Sequence, residues 1–301
     1  MRIAIIILYI TIGMLIGFTG SAEAGPNILA VQSIRVAPYE DAIRGFEQAS
    51  DTMVKRVVIS ELQHNEVEKI IQKNAPDLVL AVGMDALIET RRIKNTPIVY
   101  LMVLNPESIL AKEPNITGVS MNLSPERQLD VLLNVLPEVP SLGLLYNPKR
   151  SGRLVRDIRK TAENAGVKLI AIEIERSRDV PLSLSRLKGK IDVFWMIPDT
   201  TVITPETLEY LLLFSMNHKI PILTFSDKYL NLGAMLAIGI DAFDIGRQAG
   251  EIGKIILSGR RAKTIRPRDA RKAIISINLK IAKKLGVRVN ENAIKNARII
   301  P

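Results

Sequence analysis

The sequence predicts an α/β protein of two similar lobes, each built on a parallel sheet. Three observations lead there. Short β-branched runs alternate with amphipathic helical stretches along the chain after residue 24. Many of the runs are apolar on both faces, the pattern of strands covered by helices on each side. One module also occurs twice, as NAPDLVLAVGMDALIETRRIKNTPIVYLMVLNPES and as GKIDVFWMIPDTTVITPETLEYLLLFSMNHKIPILTFSD. Each copy has an Asp, an apolar run, a polar loop, a helix-like segment and a Pro-Ile step into a second apolar run. Two copies imply two lobes, and a cleft between lobes is a favoured place to hold a small molecule.

In the first half the pattern predicts strands at 28–32, 54–60, 78–82, 98–103 and 116–119, with helices at 39–48, 66–73 and 125–135. In the second half it predicts strands at 142–146, 168–173, 193–197, 222–225 and 235–238, with helices at 152–165, 182–187, 205–218, 245–257 and 280–285. Ser124-Pro125-Glu126 and Thr204-Pro205-Glu206 place a cap before a proline at the first helical position, where the missing N–H costs nothing. Gly166 and Gly286 read as helix C-terminal glycines. Gly246, Gly250 and Gly253 in GRQAGEIG fall on a helix and read as close backbone packing, not phosphate binding. The two prolines of Leu136-Pro137-Glu138-Val139-Pro140-Ser141 mark either the crossing between lobes or an ordinary helix-to-strand loop.

At 301 residues and 47% hydrophobic, the chain can bury a large core, and with 4% aromatics that core is aliphatic. The formal charge of +10 is dispersed. Its densest patch holds Arg260, Arg261, Lys263, Arg266, Arg268, Arg271 and Lys272. No aromatic interleaves with it, so it reads as a solvated surface and nucleic acid is not an expected partner. Arg2, the apolar run at 3–18 and Ala22-Glu23-Ala24 have the layout of a secretory signal peptide cut after Ala24; the alternative is an uncleaved anchor. There is no cysteine, which excludes disulfides, thiolate metal sites and a Cys nucleophile. It also excludes a lipid anchor on a cysteine after the signal. Export without an anchor reads as a periplasmic location.

Neither of the two histidines, His64 and His218, has metal-ligand spacing, and no G-x-S-x-G, Walker A or G-x-G-x-x-G motif is present. No metal, cofactor or catalytic residue is therefore expected. Asp85, Asp199, Asp227 and Asp241 fall at or after predicted strand ends, with no nucleophile or electrophile in a recognisable spacing. Their other use is recognition, because ligands of parallel α/β sheets sit beyond the carboxyl ends of the strands. The residues there are Ser33, Gly83-Met84-Asp85 and Leu104-Asn105 in the first half. In the second they are Tyr146-Asn147, Asp199-Thr200-Thr201 and Ser226-Asp227. Carboxylates suit a ligand ammonium, while hydroxyls, amides and backbone N–H groups suit a carboxylate.

At these residues the chain resembles the ABC-transporter substrate-binding proteins of the family that includes tryptophan- and tyrosine-binding members. The matching stretches include DLVLAVGMDAL, TPIVYLMVLNP, NITGVSMNLSPERQLDVLLNVLPEVPSLGLLYNP, IDVFWMIPDTTV, KIPILTFSD and GAMLAIGIDAFDIGRQAGEIGKIILSGRRAKTI. The resemblance implies a type I periplasmic-binding-protein architecture, two Rossmann-like lobes joined by crossovers. One lobe would span 25–138 and about 237–262, the other 139–236 and about 263–301. It implies capture of a small solute, an amino acid and more narrowly an aromatic one, by a monomer that delivers it to an inner-membrane ABC permease. A ligand-sensing subunit for a signalling receptor is the alternative role, and a periplasmic enzyme a third. Within this reading Asp199 takes the ligand ammonium, and Asn147, Ser226 and the Gly83-loop amides take its carboxylate. Ser33 and Tyr39 line the aromatic or apolar end, and Met84, Asn105, Thr200 and Asp227 complete the set. Gly83–Ala86 stands where the family more often has Gly-Thr-Pro-Ala, and Leu104-Asn105-Pro106 where it has Thr-Asp-Pro. Asp85 then either adds a contact to a cationic group or caps the helix that follows.

Overall fold

A computed structural model describes residues 25–62, 66–111, 113–295 and 297–300; the signal-peptide reading of residues 1–24 and the expectation for His64 lie outside them. Two sheets form. The first is entirely parallel, in the order β2 (Lys55–Val58), β1 (Ile28–Gln32), β3 (Leu78–Val82), β4 (Ile98–Val103), β5 (Ile116–Ser120). All but the edge strand β2 are buried along their whole length, β3 and β4 as unbroken apolar runs, β1 and β5 with the polar Gln32, Thr117 and Ser120 buried among their apolar residues. Helix α1 (Ala37–Ser50) covers one face and α2 (Glu66–Asn74) with α3 (Met84–Thr90) the other.

The second sheet has the order β12 (Arg298–Ile300), β11 (Ala273–Asn278), β10 (Leu236–Ile240), β9 (Ile222–Thr224), β8 (Val193–Trp195), β6 (Ser141–Tyr146), β7 (Lys168–Glu173). It is parallel except where β11 runs against β10. On one face lie α4 (Pro125–Val135), α5 (Pro148–Asn164) and α9 (Leu279–Leu285), and on the other α6 (Val180–Ser185) and α7 (Pro205–His218). The expected caps are present. Ser124 accepts from the Arg127 amide, Thr204 and Thr207 form a capping box, and Gly286 ends α9 at φ +72°. Helix α5 starts four residues before the predicted position, with Asn147 accepting from the Lys149 amide as its cap. Asn147-Pro148 is the same cap-then-proline signal as Ser124-Pro125.

The lobe boundaries differ from the sequence expectation. Leu129, Leu132 and Val135 of α4 pack with Leu142, Leu144 and Trp195, so α4 belongs to the second lobe and the Leu136–Ser141 segment is an internal loop of it. Strand β10 pairs with β9 in the second sheet. Helix α8 (Ala242–Leu257) and the segment through Ala270 pack with Ile28, Phe46 and Leu80 in the first lobe. The chain therefore crosses at residues 121–124, at Asp241 and at residues 271–272. The crossings lie side by side: the Ala270 amide donates to the Asn122 carbonyl (3.1 Å) and the Asp241 amide to the Lys272 carbonyl (3.4 Å). Arg271 forks onto Asp244 at 2.8 and 2.9 Å and also reaches Glu251, fastening the third crossing to α8. The glycines of GRQAGEIG are packing glycines: a Cβ at Gly246 would stand 1.8 Å from the Ala42 carbonyl oxygen, and one at Gly250 would stand 2.7 Å from that of Phe46.

Candidate functional site

All three crossings leave or enter at the carboxyl ends of parallel strands, after β5, after β10 and beside β10 at the start of β11. The carboxyl ends of both sheets therefore face each other, and the predicted residues lie along the two facing rows. Glu107, just beyond β4, and Arg153 of α5 form an ion pair at 4.0 Å between the lobes. A concavity of about 730 Å3 opens instead at the opposite pole of the second lobe, among Leu136, Val139, Val193, Pro221 and Arg288. None of its walls belongs to the strand-end set, so topology, not concavity, places the candidate site.

On the first lobe, Ser33, Tyr39, Gly83 and Asp85 converge. Gly83 has φ +92° and ψ 171°, a conformation essentially reserved for glycine. It needs that freedom for space as well: a Cβ there would stand 2.6 Å from the Tyr39 hydroxyl and 2.7 Å from Ser33 Oγ. Ser33 Oγ donates to the Val82 carbonyl (3.2 Å) and accepts from the Ala86 amide (3.0 Å). The hydroxyl that caps α3 is thus Ser33, not Asp85, and its buried Oγ is fully employed in holding the Gly83 turn. Met84 packs partly into the core. Burial, and next the charge of Asp85, push the Tyr39 phenol above its ordinary pKa. Asp85 itself is exposed.

Strand β4 carries a feature invisible in the sequence. Met102 has φ +56°, and the pairing with β5 slips there by one residue, a bulge that re-aims the strand end. Beyond it Leu104 is left 37% exposed and Asn105 is left-handed at φ +49°. The Asn105 amide donates to Asn122 Oδ1 (3.0 Å) on the first crossing, so this loop is tied to the hinge. Ile34, after β1, is likewise exposed at 44%. Ile34 is the apolar position of this row that sequence reasoning left out, and its signal was an apolar residue just past a strand end; Leu104 stood in the row already but had been given no ligand role.

On the second lobe the carboxylate expected to meet the ammonium is already occupied. Asp199 is 2% exposed, and its oxygens accept from the backbone amides of Asn147 (2.8 Å), Thr201 (2.8 Å) and Val202 (3.4 Å). It staples the end of β6 to the loop after β8. The side-chain oxygen of Asn147 caps α5, and its Nδ2 donates to the Glu175 carbonyl (3.3 Å). Asp227 is paired with Arg298 at 3.2 Å. Thr200 is exposed, and the half-exposed Ser226 hydroxyl has no side-chain partner among the described residues. The structure therefore brings the predicted residues to the two facing rows, but gives Ser33, Asn147 and Asp199 to the scaffold.

Two lobes of mostly parallel strands, opposed at their carboxyl ends and joined by three adjacent crossings, define the class of hinged, two-lobed binding proteins. The sequence matches the family of ABC transporter substrate binding proteins over residues 50–300, and the chain belongs to that family. A relative, a tyrosine-binding protein from Clostridioides difficile (strain R20291), is 25% identical over 61% of this chain. The match covers 55% of that protein's own length, so this chain spans about half of it. Among solved structures, the ligand-free, open form of a substrate-binding protein with adhesive properties from Clostridium difficile superposes with a TM-score of 0.73. It is 22% identical, over 91% of this chain and 99% of that one. An ABC domain in complex with L-Trp from Streptococcus pneumonia gives 0.63 at 20% identity, over 92% and 100%. These likenesses support the type I periplasmic-binding-protein fold.

Proposed function

We propose that this chain captures a small solute between its lobes and delivers it to the permease of an ABC importer. It would act as a monomer in the periplasm, after cleavage near Ala24. The observation that carries this reading is the pair of facing strand-end rows beside three adjacent crossings, a geometry that lets the lobes close by a hinge, in a chain of the substrate-binding family. An amino acid as solute is supported by the relatives named for tyrosine and L-Trp. The polar groups left free on the second row, Ser226 and Thr200, suit a carboxylate. Exposed Ile34 and Leu104, with the ring of Tyr39, offer the first row an apolar wall for a side chain. A binding role without turnover is supported by the acids: Asp199 is saturated by backbone amides and Asp227 is paired, so they supply no free acid–base couple. Mass spectrometry of small molecules released from the denatured, purified protein tests the reading. A released amino acid, and loss of its uptake in cells lacking this chain, is the expected result. Conversion of that solute on incubation with the protein would overturn it.

A further inference from the structure

We propose that the pocket on the flank of the first lobe, where Tyr100 meets the loop after β4 and the segment 267–269, is a second binding site, and that it takes a small aliphatic cation without a carboxylate. The pocket runs along the edge of β5 from Ser120 to Ile116, outside the facing rows except at Glu107. It therefore goes beyond the solute-binding reading and does not depend on it.

The cavity holds about 330 Å3. Tyr100, one of its walls, is 1% exposed, and its hydroxyl has no hydrogen-bond partner among the described residues, although a buried phenol ordinarily finds one. The backbone shows where the ring goes. Tyr100 stands opposite Gly118 on β5, and a Cβ at Gly118 would stand 2.6 Å from Tyr100 Cγ. The missing side chain lets the ring lie over the edge strand. Beyond that strand runs Arg268, whose amide donates to the Gly118 carbonyl (2.9 Å), and Pro267 and Asp269 beside it line the same pocket. The phenol is therefore aimed across β5 into the cavity.

The remaining polar walls are acidic: Glu107, Glu113 and Asp269. Asp269 spends Oδ1 on the Ser120 hydroxyl (2.5 Å), and Glu113 spends one oxygen on the Ala111 amide (3.0 Å). Glu107 reaches Arg153 only at 4.0 Å. Each carboxylate keeps an oxygen with no partner among the described residues. Arg268, the one cation among the described lining residues, is turned to Glu251 at 3.2 Å. Pro106, Leu110 and Ile116 supply an apolar wall. Burial, and next the charges of Asp269 and Glu107, push the Tyr100 phenol above its ordinary pKa, which keeps it neutral. An aliphatic stem would lie on the apolar wall, and its cationic nitrogen would donate to the phenol oxygen and to a carboxylate. No free cation is offered to a ligand carboxylate, which separates this ligand from an amino acid. A cation on Glu107 would also draw that side chain from Arg153 of the other lobe, so occupancy would reach the contact between the lobes.

The probes are 1,4-diaminobutane and agmatine, with 1,4-butanediol as the neutral control and butanoate as the anionic one. Binding to the full mature chain is read by calorimetry and thermal shift. At least one of the two cations should bind, roughly tenfold or more tightly than either control. Tyr100→Phe removes only an unpartnered hydroxyl, so it should fold as wild type does, checked by circular dichroism. Its affinity for the cation should fall about two- to tenfold, the range for one neutral hydrogen bond. Glu107→Gln, at an exposed position, should lose roughly tenfold or more. Wild-type affinity in both variants overturns the inference, since the cation would then be held elsewhere. So does failure of both cations to bind, or binding of a control as tight as theirs. The solute-binding reading is judged separately, by release of an amino acid from the denatured protein, so either can fail without the other.

Discussion

Replacing Gly83 by alanine tests the construction of the first-lobe row directly. The backbone there sits at φ +92°, ψ 171°, which costs a residue with a Cβ about 1–3 kcal/mol. The new methyl would meet Tyr39 Oη at 2.6 Å and Ser33 Oγ at 2.7 Å. Tyr39 can swing its free end away, but Ser33 is buried and can only give up its bond to the Ala86 amide. Losing a cap of that kind costs about 1 kcal/mol. The sum is about 2–4 kcal/mol, or roughly 4–16 °C in melting temperature at 2–4 °C per kcal/mol. Gly166→Ala is the matched control. It also has positive φ, +67°, but no atom lies within 4 Å of its Cβ position, so only the cost of a left-handed residue, about 1–2 kcal/mol, applies. Thermal unfolding of both variants, followed by circular dichroism, should show Gly83→Ala melting clearly below Gly166→Ala. Its solute affinity should fall too, because Tyr39 is displaced. Equal melting temperatures would refute the crowding derived from Ser33 and Tyr39.

Asp199→Ala leaves the Asn147 and Thr201 amides without their acceptor, while the Val202 amide keeps the Asp199 carbonyl at 3.1 Å, and should cost about 2 kcal/mol in urea unfolding; an intact stability with lost affinity would restore Asp199 as a ligand group. Arg271→Ala strands the nearly buried Asp244 carboxylate, and because the guanidinium is 41% exposed the expected loss is about 1–2 kcal/mol, read by thermal melting. Gly246→Ala drives a methyl to 1.8 Å from the Ala42 carbonyl oxygen where α1 and α8 cross, and should abolish soluble expression, which recovery of folded protein would disprove. The Glu126 carboxylate accepts from its own amide and from Thr161, which holds its pKa below the ordinary 4.5. A depressed acid stabilises the folded state above its unfolded pKa and loses that contribution as pH falls through the folded value. The stability gap between wild type and Glu126→Gln should therefore be present at neutral pH and shrink below about pH 4.5.

The elements legible in the sequence are those fixed by local chemistry. Runs such as LVLAV, short, Val-rich and bounded by turn residues, read as strands buried on both sides, and Ser124-Pro125 and Thr204-Pro205 announce helix starts. The crossings were not legible. The prolines of Leu136–Ser141 suggested a lobe boundary, whereas the observed crossings pass through ordinary strand-like residues. Which lobe α4 or α8 joins depends on which core receives Leu129 or Ile252, and both are equally apolar. Strand β11 also escaped prediction, because AIISIN runs straight into α9 with no turn residue between them. Within the site, the strand-end rule found the right rows but not the right roles. A buried Asp holding three amides and an exposed Asp holding nothing carry the same letter, and only the backbone around them separates the two. The Met102 bulge is of the same kind, a left-handed methionine that no propensity predicts.

The two rows consequently divide their work otherwise than the repeat suggested. The second-half set keeps the family pattern at Asn147 and Asp199, which invites the reading that it anchors a shared ligand group. Asp199 is spent on the Asn147 amide and on its own loop, and the Asn147 side chain on the start of α5 and the Glu175 carbonyl, so both serve the joint between β6 and β8. The first copy departs from the pattern at Asp85 and Leu104, and both are exposed and unemployed by the scaffold. Asn105, beside them, is tied through its amide to Asn122 on a crossing strand. A solute gripped on the first row would therefore pull on a segment continuous with the hinge. On the proposed reading, selection and closure would both begin on the first lobe, and the second lobe would supply the surface that closes over the solute.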